Sequence, residues 1–226
     1  MNKKYEQFFY NKKELYSLGD GNYRVERIGN IPQKRFYCFI KRLFDIVLSV
    51  FGILVALIPM VIISIVIKCD SKGPIIFKQE RLGYREKPFN IYKFRSMKTN
   101  AEENGAKWAE KNDKRVTRVG KFLRQSRLDE LPQLFNIFLG QMSFVGPRPE
   151  RAVFYNEFKS YIDGFDQRML IIPGLTGFAQ INGGYDLLPE EKIIFDIEYI
   201  KKRSISMDLK LILETILVVF THNGAR

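Results

Sequence analysis

Two adjacent carboxylates, Asp129 and Glu130, stand between a basic run and a Gly146-Pro147-Arg148-Pro149 turn. From Lys111 to Arg127 the chain carries seven basic residues and one acid, Asp113. The single histidine, His222, lies close to the C-terminus. That count excludes multi-histidine zinc chemistry and leaves little room for Ser-His-Asp or Cys-His nucleophiles. If the chain is an enzyme, carboxylates, lysines and arginines must do its work. The plainer reading of Asp129-Glu130 is an acidic helix cap that complements the dipole.

Composition points to what those residues would act on. The chain has 226 residues and a formal net charge of +12. A surplus that large suits an anionic partner: nucleic acid, an anionic lipid surface or a phosphorylated substrate. No helix-turn-helix, RNP or zinc-knuckle pattern accompanies the basic run, so no nucleic acid is expected. Cys38 and Cys69 lack metal-ligand spacing and flank a hydrophobic run, which argues against a disulfide framework and for a reducing compartment. Hydrophobic residues make up 46% of the chain, enough for a packed core.

The elements that must position the carboxylates follow from local signals. Pro132 fits a helix only in its first turn. That puts Asp129 near an N-cap, Glu130 in the first turn, and Gly140 just past the C-terminal end. Leu131, Leu134, Phe135 and Phe138 would form the apolar face. Residues 74–81 and 88–95 are short, β-branched and aromatic around Gly83 and read as a β-hairpin, with Lys93 and Arg95 on one face. The glycine-rich stretch 172–186 reads as a close-approach loop rather than a dinucleotide fingerprint. Residues 205–220 read as an apolar helix for the core or a membrane interface.

Residues 46–67 hold 22 residues without a charge. A straight helix of that length reaches about 33 Å, the thickness of a bilayer core. Pro59 lies in its middle, and both flanks are basic. Lys34, Arg35, Lys41 and Arg42 precede it, and Lys68, Lys72, Lys78 and Arg81 follow. The charge rule therefore sets no direction, and a spanning helix and one that bends back at Pro59 both satisfy the pattern. Asp45 at the entry would pair with Lys41 or Arg42, or stay solvated. Residues 1–40 read as a polar tail, 41–68 as the hydrophobic segment and 69–226 as the catalytic part.

Several motifs occur together. They are Gly73-Pro74, Phe77-Lys78-Gln79-Glu80-Arg81, Lys93-Phe94-Arg95-Ser96-Met97, Asp129-Glu130-Leu131-Pro132-Gln133, Met142-Ser143 with Val145-Gly146-Pro147-Arg148-Pro149-Glu150, and Pro173-Gly174-Leu175-Thr176-Gly177 with Gln180. Their order closely resembles the bacterial sugar transferases, the monotopic polyprenyl-phosphate phosphoglycosyltransferases, from about Lys41 to the C-terminus. The resemblance implies an α+β, mainly helical fold. A re-entrant membrane helix broken at Pro59, interfacial amphipathic helices and a small globular part with a short hairpin would make it up. Many members place a serine before that proline, whereas this chain has Ile58.

The resemblance also implies the reaction. A sugar 1-phosphate would pass from a UDP-sugar to undecaprenyl phosphate at the cytoplasmic face of a bacterial inner membrane, releasing UMP. That would be the first membrane step of capsule, exopolysaccharide, O-antigen or glycoprotein glycan assembly. Asp129 would be the nucleophile, Glu130 the Mg²⁺ ligand, and Arg124 and Arg148 phosphate-binding residues, with Lys93 and Arg95 as further candidates. Arg127 replaces a small polar residue. A carboxylate nucleophile needs no histidine to activate it. A homodimer is compatible with the sequence. Two other readings are a membrane-anchored basic binding module without catalysis and a glycosyltransferase that releases the nucleoside diphosphate.

Overall fold

The computed structural model describes residues 15–29, 34–103, 105, 113–184 and 187–221. Pro32, Trp108, His222 and the 185–186 part of the glycine-rich stretch lie outside the described residues.

Helix α1 (Arg35–Asp70) is 36 residues long, roughly 54 Å at 1.5 Å per residue. Its buried residues, Tyr37, Asp45, Ser49, Ala56, Met60, Ile63 and Ile67, recur at helical spacing along one stripe. Phe39, Phe51, Leu54, Ile58, Ile62 and Ile65 on its other sides are exposed. By length and composition α1 could cross a membrane, and only 22% of its most apolar window is buried inside the protein. A core helix would be mostly buried. The residue boundaries expected at 40/41 and 68/69 both fall within α1.

Where the sequence suggested a helix broken at Pro59, α1 runs through it as one helix. Proline removes a single backbone hydrogen bond. Ala56 and Met60, on either side, pack into one cluster with Phe94 and Leu123. That packing lies on either side of the missing bond, and the proline ring itself faces outward.

The N-terminal half of α1 is fastened by polar contacts that local spacing does not give. Lys41 pairs with Asp208 at 2.8 Å rather than with Asp45. Arg42 donates to the carbonyls of Ile137 (2.7 Å) and Phe138 (2.6 Å). Asp45 is buried, and its Oδ1 accepts from the Ser143 hydroxyl (3.1 Å) and the Phe144 N–H (3.0 Å). A buried charge needs hydrogen bonds, and the neighbouring chain supplies them directly. Tyr37 and Tyr199 both donate to Asp208, which ties α1 to α6 (Pro189–Lys202) and α7 (Ile205–Thr221).

The expected hairpin is present as β3 (Ile76–Leu82) and β4 (Pro88–Phe94), antiparallel with Ile76 opposite Phe94. Arg85 and Glu86 in its turn adopt positive φ. Strands β5 (Ser143–Val145) and β7 (Gly174–Thr176) pair in parallel beneath it. Residues 15–29, read from sequence as part of an unstructured tail, form β1 (Leu15–Gly19) and β2 (Asn22–Val25). Strand β2 adds in parallel to β6 (Ile162–Asp163), which follows α4 (Ala152–Tyr161). Val25 is buried with Tyr155, Phe158 and Ile162, while Arg24 and Arg27 pair with Asp163. Val25 is its fully buried anchor, with Leu15 and Tyr23 packed partly buried against the same cluster, too few apolar residues to stand out in a polar stretch.

Helix α7 buries one face in the core, as one reading of its segment had it, and leaves the other apolar face exposed. Leu211 is buried against Val145 and Tyr199, whereas Leu209, Leu213, Ile216 and Leu217 are exposed. Cys38 and Cys69 are free and exposed.

Asp45 joins α1 to β5, so its removal leaves the Phe144 N–H and the Ser143 hydroxyl without their acceptor. Asp45→Ala is expected to destabilise the fold by about 1–3 kcal/mol, read as a lower denaturation midpoint in detergent.

Candidate active site

The chain enters the site through helix α2 (Arg118–Gln125), whose first turn is capped by the Thr117 hydroxyl accepting from the Gly120 N–H at 2.9 Å. Arg127 then takes a left-handed conformation, φ 59°. It turns the chain into a 3-10 segment, Leu128–Glu130, and helix α3 (Gln133–Phe138) begins only after Pro132. The two carboxylates therefore precede α3 on their own turn instead of forming its first turn. Pro132 cannot bond backward, so the turn before it closes with i to i+3 bonds: Glu130 N–H to Arg127 O and Leu131 N–H to Leu128 O. Gly140 follows α3 with φ 79°, as its spacing indicated.

The inward face of α3 is Leu134 and Ile137, while Phe135 and Phe138 are substantially exposed. Asn136, fully buried, fixes this orientation. Its Oδ1 accepts from the Tyr92 N–H (3.0 Å), and its Nδ2 donates to Asn90 O and Gln141 Oε1 (both 2.7 Å). The amide extends the edge of β4 as a backbone strand would.

That docking brings Lys93 of β4 onto Glu130. The Glu130 Oε1 accepts from Lys93 Nζ at 2.8 Å and from Arg148 Nη2, while Oε2 has only a 3.5 Å contact to Arg148 Nη1. Burial pushes the Glu130 carboxyl up, but Arg148 and Lys93 outweigh it and hold the group well below the usual carboxylate range. Asp129 is the reverse case. Burial and the adjacent Glu130 charge push it up to about 6, against the opposing pull of Lys93, Arg124 and Arg127. Among the described residues no hydrogen bond is recorded to the Asp129 carboxylate. Two neighbouring carboxylates thus have opposite characters: one is clamped and ionised, the other buried and held only by charge.

Arg148 is positioned by backbone. Gly146 N–H bonds to Thr176 O and Gly174 N–H to Pro147 O, both at 2.9 Å. A Cβ on Gly174 would lie 2.1 Å from the Gly146 nitrogen, so the glycine-rich stretch is a close-approach loop as read from the sequence. Arg168, itself buried, donates to Arg148 O at 3.0 Å and pairs with buried Asp196 at 2.9 Å. Arg81 donates to Pro149 O at 3.1 Å.

Of the residues picked from sequence, Asp129, Glu130, Lys93 and Arg148 come together, and Arg124 acts on Asp129 through charge. Arg95 does not join them. It is buried at the far end of α1, donating to Ser71 O (2.6 Å), Ser71 Oγ (2.9 Å) and Lys72 O (3.0 Å). One residue beyond the end of β4, it bonds to the exit of the long helix rather than sharing the surface of Lys93. Asn136, Arg168 and Asp196 were missed, because nothing in their local sequence distinguishes them from ordinary helix and loop polar residues. Arg127, without an assigned role in the sequence, supplies the left-handed turn and part of the field on Asp129.

Among the described residues no cluster of three or more metal-ligating side chains occurs. The donor set fits Mg²⁺ in the form where one or two carboxylates share the ion with substrate phosphates. Glu130 Oε2 is the less engaged oxygen for that purpose.

The sequence model of one family, described as bacterial sugar transferase, matches residues 36–222. Similar proteins include the UDP-N-acetylgalactosamine-undecaprenyl-phosphate N-acetylgalactosaminephosphotransferase of Aeromonas hydrophila, 38% identical over 96% of this chain and 53% of its own length. The UDP-glucose:undecaprenyl-phosphate glucose-1-phosphate transferase of Klebsiella pneumoniae is 45% identical over 89% of this chain and 46% of its own length. A putative undecaprenyl-phosphate N-acetylgalactosaminyl 1-phosphate transferase of Bacillus subtilis is 52% identical over 59% of this chain and 74% of its own length. The chain spans about half the length of the first two.

Asp129 resists ionisation when folded, so its contribution favours the fold at low pH and is lost as pH rises through about 6. Asp129→Asn, measured without divalent cations, should be more stable than the parent at pH 8 by up to about 3 kcal/mol. The gap should close as pH falls toward about 4, the range of an ordinary aspartate. Thermal denaturation across that range checks both. Gly174→Ala should force β5 and β7 apart and lower the melting temperature along with any activity that depends on Arg148.

Proposed function

The chain belongs to the bacterial sugar transferase family, and from that premise we propose that it moves a sugar 1-phosphate from a UDP-sugar to undecaprenyl phosphate and releases UMP. The observation that carries this reading is the division of labour at the turn, where Glu130 is clamped by Lys93 and Arg148 beside an Asp129 that accepts no hydrogen bond among the described residues. A buried carboxylate in a cationic surround, with its neighbour neutralised, is suited to attack an anionic centre. The names of the relatives supply the substrate class.

In the proposed sequence, an Asp129 oxygen attacks the β-phosphorus of the donor, and the bond from that phosphorus to UMP breaks. An acyl-phosphate carrying the sugar results. An oxygen of undecaprenyl phosphate then attacks the same phosphorus and Asp129 departs as carboxylate. The sugar's C1–O bond is never cut, so its anomeric configuration is kept. Lys93, Arg124, Arg127 and Arg148 offset the charge of the phosphates, Arg148 with a planar fork that can take two oxygens. Glu130 would hold Mg²⁺, which when bound would supply charge neutralisation for the departing phosphate.

The proposed setting is the cytoplasmic face of the bacterial inner membrane. Support comes from α1, whose buried stripe meets the same globular body from Tyr37 to Ile67. Contact along that whole stripe favours a helix lying on the body over one that leaves it to cross a bilayer core of about 30 Å. Its exposed apolar sides, with those of α7, would face lipid, and both ends of α1 would stay on one side. In this reading α1 lies in the interface, with Pro59 inside one continuous helix.

The test is to follow UMP and UDP separately, with Mg²⁺, undecaprenyl phosphate and a panel of UDP-sugars. UMP is expected with one or a few donors; UDP would overturn the reading. Asp129→Asn should abolish UMP release while remaining folded. Arg148→Lys should lower kcat/KM about 100-fold through loss of bidentate contacts.

A further inference from the structure

Residues 15–29 precede the stretch matched by the family, 36–222, and no step of the proposed reaction uses them. Their contacts nevertheless lead to the site. Strand β2 and the residues after it sit on β6 and on the 3-10 segment Phe165–Leu170. Gly164, between those two, has φ 95°, and a Cβ there would lie 2.9 Å from Val25 O, so the backbones meet closely. Arg27 pairs with Asp166 at 2.8 Å and with Asp163 at 3.1 Å. Gln167 is buried, and its amide is spent largely on the same stretch. Its Oε1 accepts from the Ile28 N–H at 2.5 Å, and its Nε2 donates to Glu26 O and Gly164 O, both at 3.2 Å. Val25 and Ile28 pack in one cluster with Phe165 and Met169.

The next residue bonds to a different part of the chain. Arg168 donates to Arg148 O at 3.0 Å and pairs with Asp196 at 2.9 Å, with Glu150 Oε1 at 3.8 Å. Its guanidinium lies 5.0 Å from the centre of the Phe165 ring. With three residues to a turn, consecutive side chains of a 3-10 segment leave the axis about 120° apart, so neighbours can serve different partners. Asp166 and Gln167 thus grip the hairpin, and Arg168 grips the residue whose guanidinium clamps Glu130. In a close-packed interior, a displacement at Gln167 is passed to Arg168.

We propose that the N-terminal hairpin is a positioning element of the active site. Its docking on residues 163–167 sets Arg168, Arg168 sets the carbonyl of Arg148, and Arg148 is thereby aimed at Glu130 and at the phosphates of the donor. Gln167 and Arg168 are positioning residues that act through Arg148. The proposal rests on the transfer reaction for its kinetic consequence, while the mechanical link stands on the contacts alone. A guanidinium that must meet two phosphate oxygens at once tolerates little error, and a misplacement of about 1 Å can cost about 100-fold in rate. A lysine at the same place would be a point charge with less to aim.

The experiment uses the full chain in nanodiscs. Gln167→Ala removes the buried amide. Arg24→Glu with Arg27→Glu reverses the exposed ion pairs and leaves the core intact. Adding Asp163→Arg and Asp166→Arg to that double variant restores opposite charges. Hydrogen exchange is read first, without turnover, at Gly146 and Gly174, whose N–H groups bond to Thr176 O and Pro147 O. It should quicken about fivefold in the first two variants, recover in the third, and stay at the parent's rate in β3 and β4. In steady-state kinetics kcat/KM for the UDP-sugar should fall about tenfold and that for undecaprenyl phosphate stay within about twofold, since each reports its own half-reaction. In an Arg148→Lys background the further loss should be under about twofold. A merely structural role would lower the active fraction, cut both kcat/KM values by one factor and add in full to Arg148→Lys. Either result, or unchanged exchange at Gly146 and Gly174, would overturn the proposal. Quickened exchange there with no UMP from any donor would count against the transfer reaction and in favour of the link.

Discussion

The Glu130 carboxylate is the junction on which the site depends. It accepts from Lys93 on the hairpin and from Arg148 on the loop after β5. One side chain thereby joins three segments far apart in sequence. Because those two cations take Glu130, its neighbour Asp129 is left in the same positive field without being consumed by it. A site with only one of the carboxylates would lose either the clamped acid or the one left without it. The cost is a buried Asp129 whose ionised form is disfavoured, the type of local instability found where chemistry is prepared.

Behind the junction, each partner is held by backbone-directed contacts rather than by its own neighbours. Asn136 splices α3 to the edge of β4, so Lys93 faces the turn. Gly146 and Gly174 let β5 and β7 approach until their backbones touch, and Arg168 with Asp196 fixes the carbonyl of Arg148. Helix α1 frames all of this. Arg42 caps the carbonyl end of α3, and Asp45 holds β5, while the opposite sides of the same helix remain apolar and exposed. A single helix therefore combines the scaffold of the site with an exposed apolar surface.

Much of the site was legible in the sequence. Asp129, Glu130, Lys93 and Arg148 were all picked out, because charged residues beside turn signals and in ordered motifs are distinctive. The hairpin and the long apolar helix were legible for a similar reason, since period and length are local properties. Arg95 was grouped with Lys93 by strand alternation, but one residue past the strand it bonds to the end of α1. Lys41 and Arg42 act on Asp45 through charge, as their spacing suggested, yet its hydrogen-bond partners lie about a hundred residues away. Helix α1 continues through Pro59, with Ala56 and Met60 packed on either side of the lost hydrogen bond.

By itself, the sequence determined the reactive residue types, the apolar helix and the strongly basic surface, because composition and short-range spacing encode those directly. Only the tertiary structure decided which cation reaches which carboxylate, and so which of the two acids is clamped and which is left available. That choice depends on a buried amide, a glycine contact and a left-handed Arg127, whose effects appear only when distant segments meet. Burial is what separates the properties of two adjacent acids, and it belongs to the folded chain.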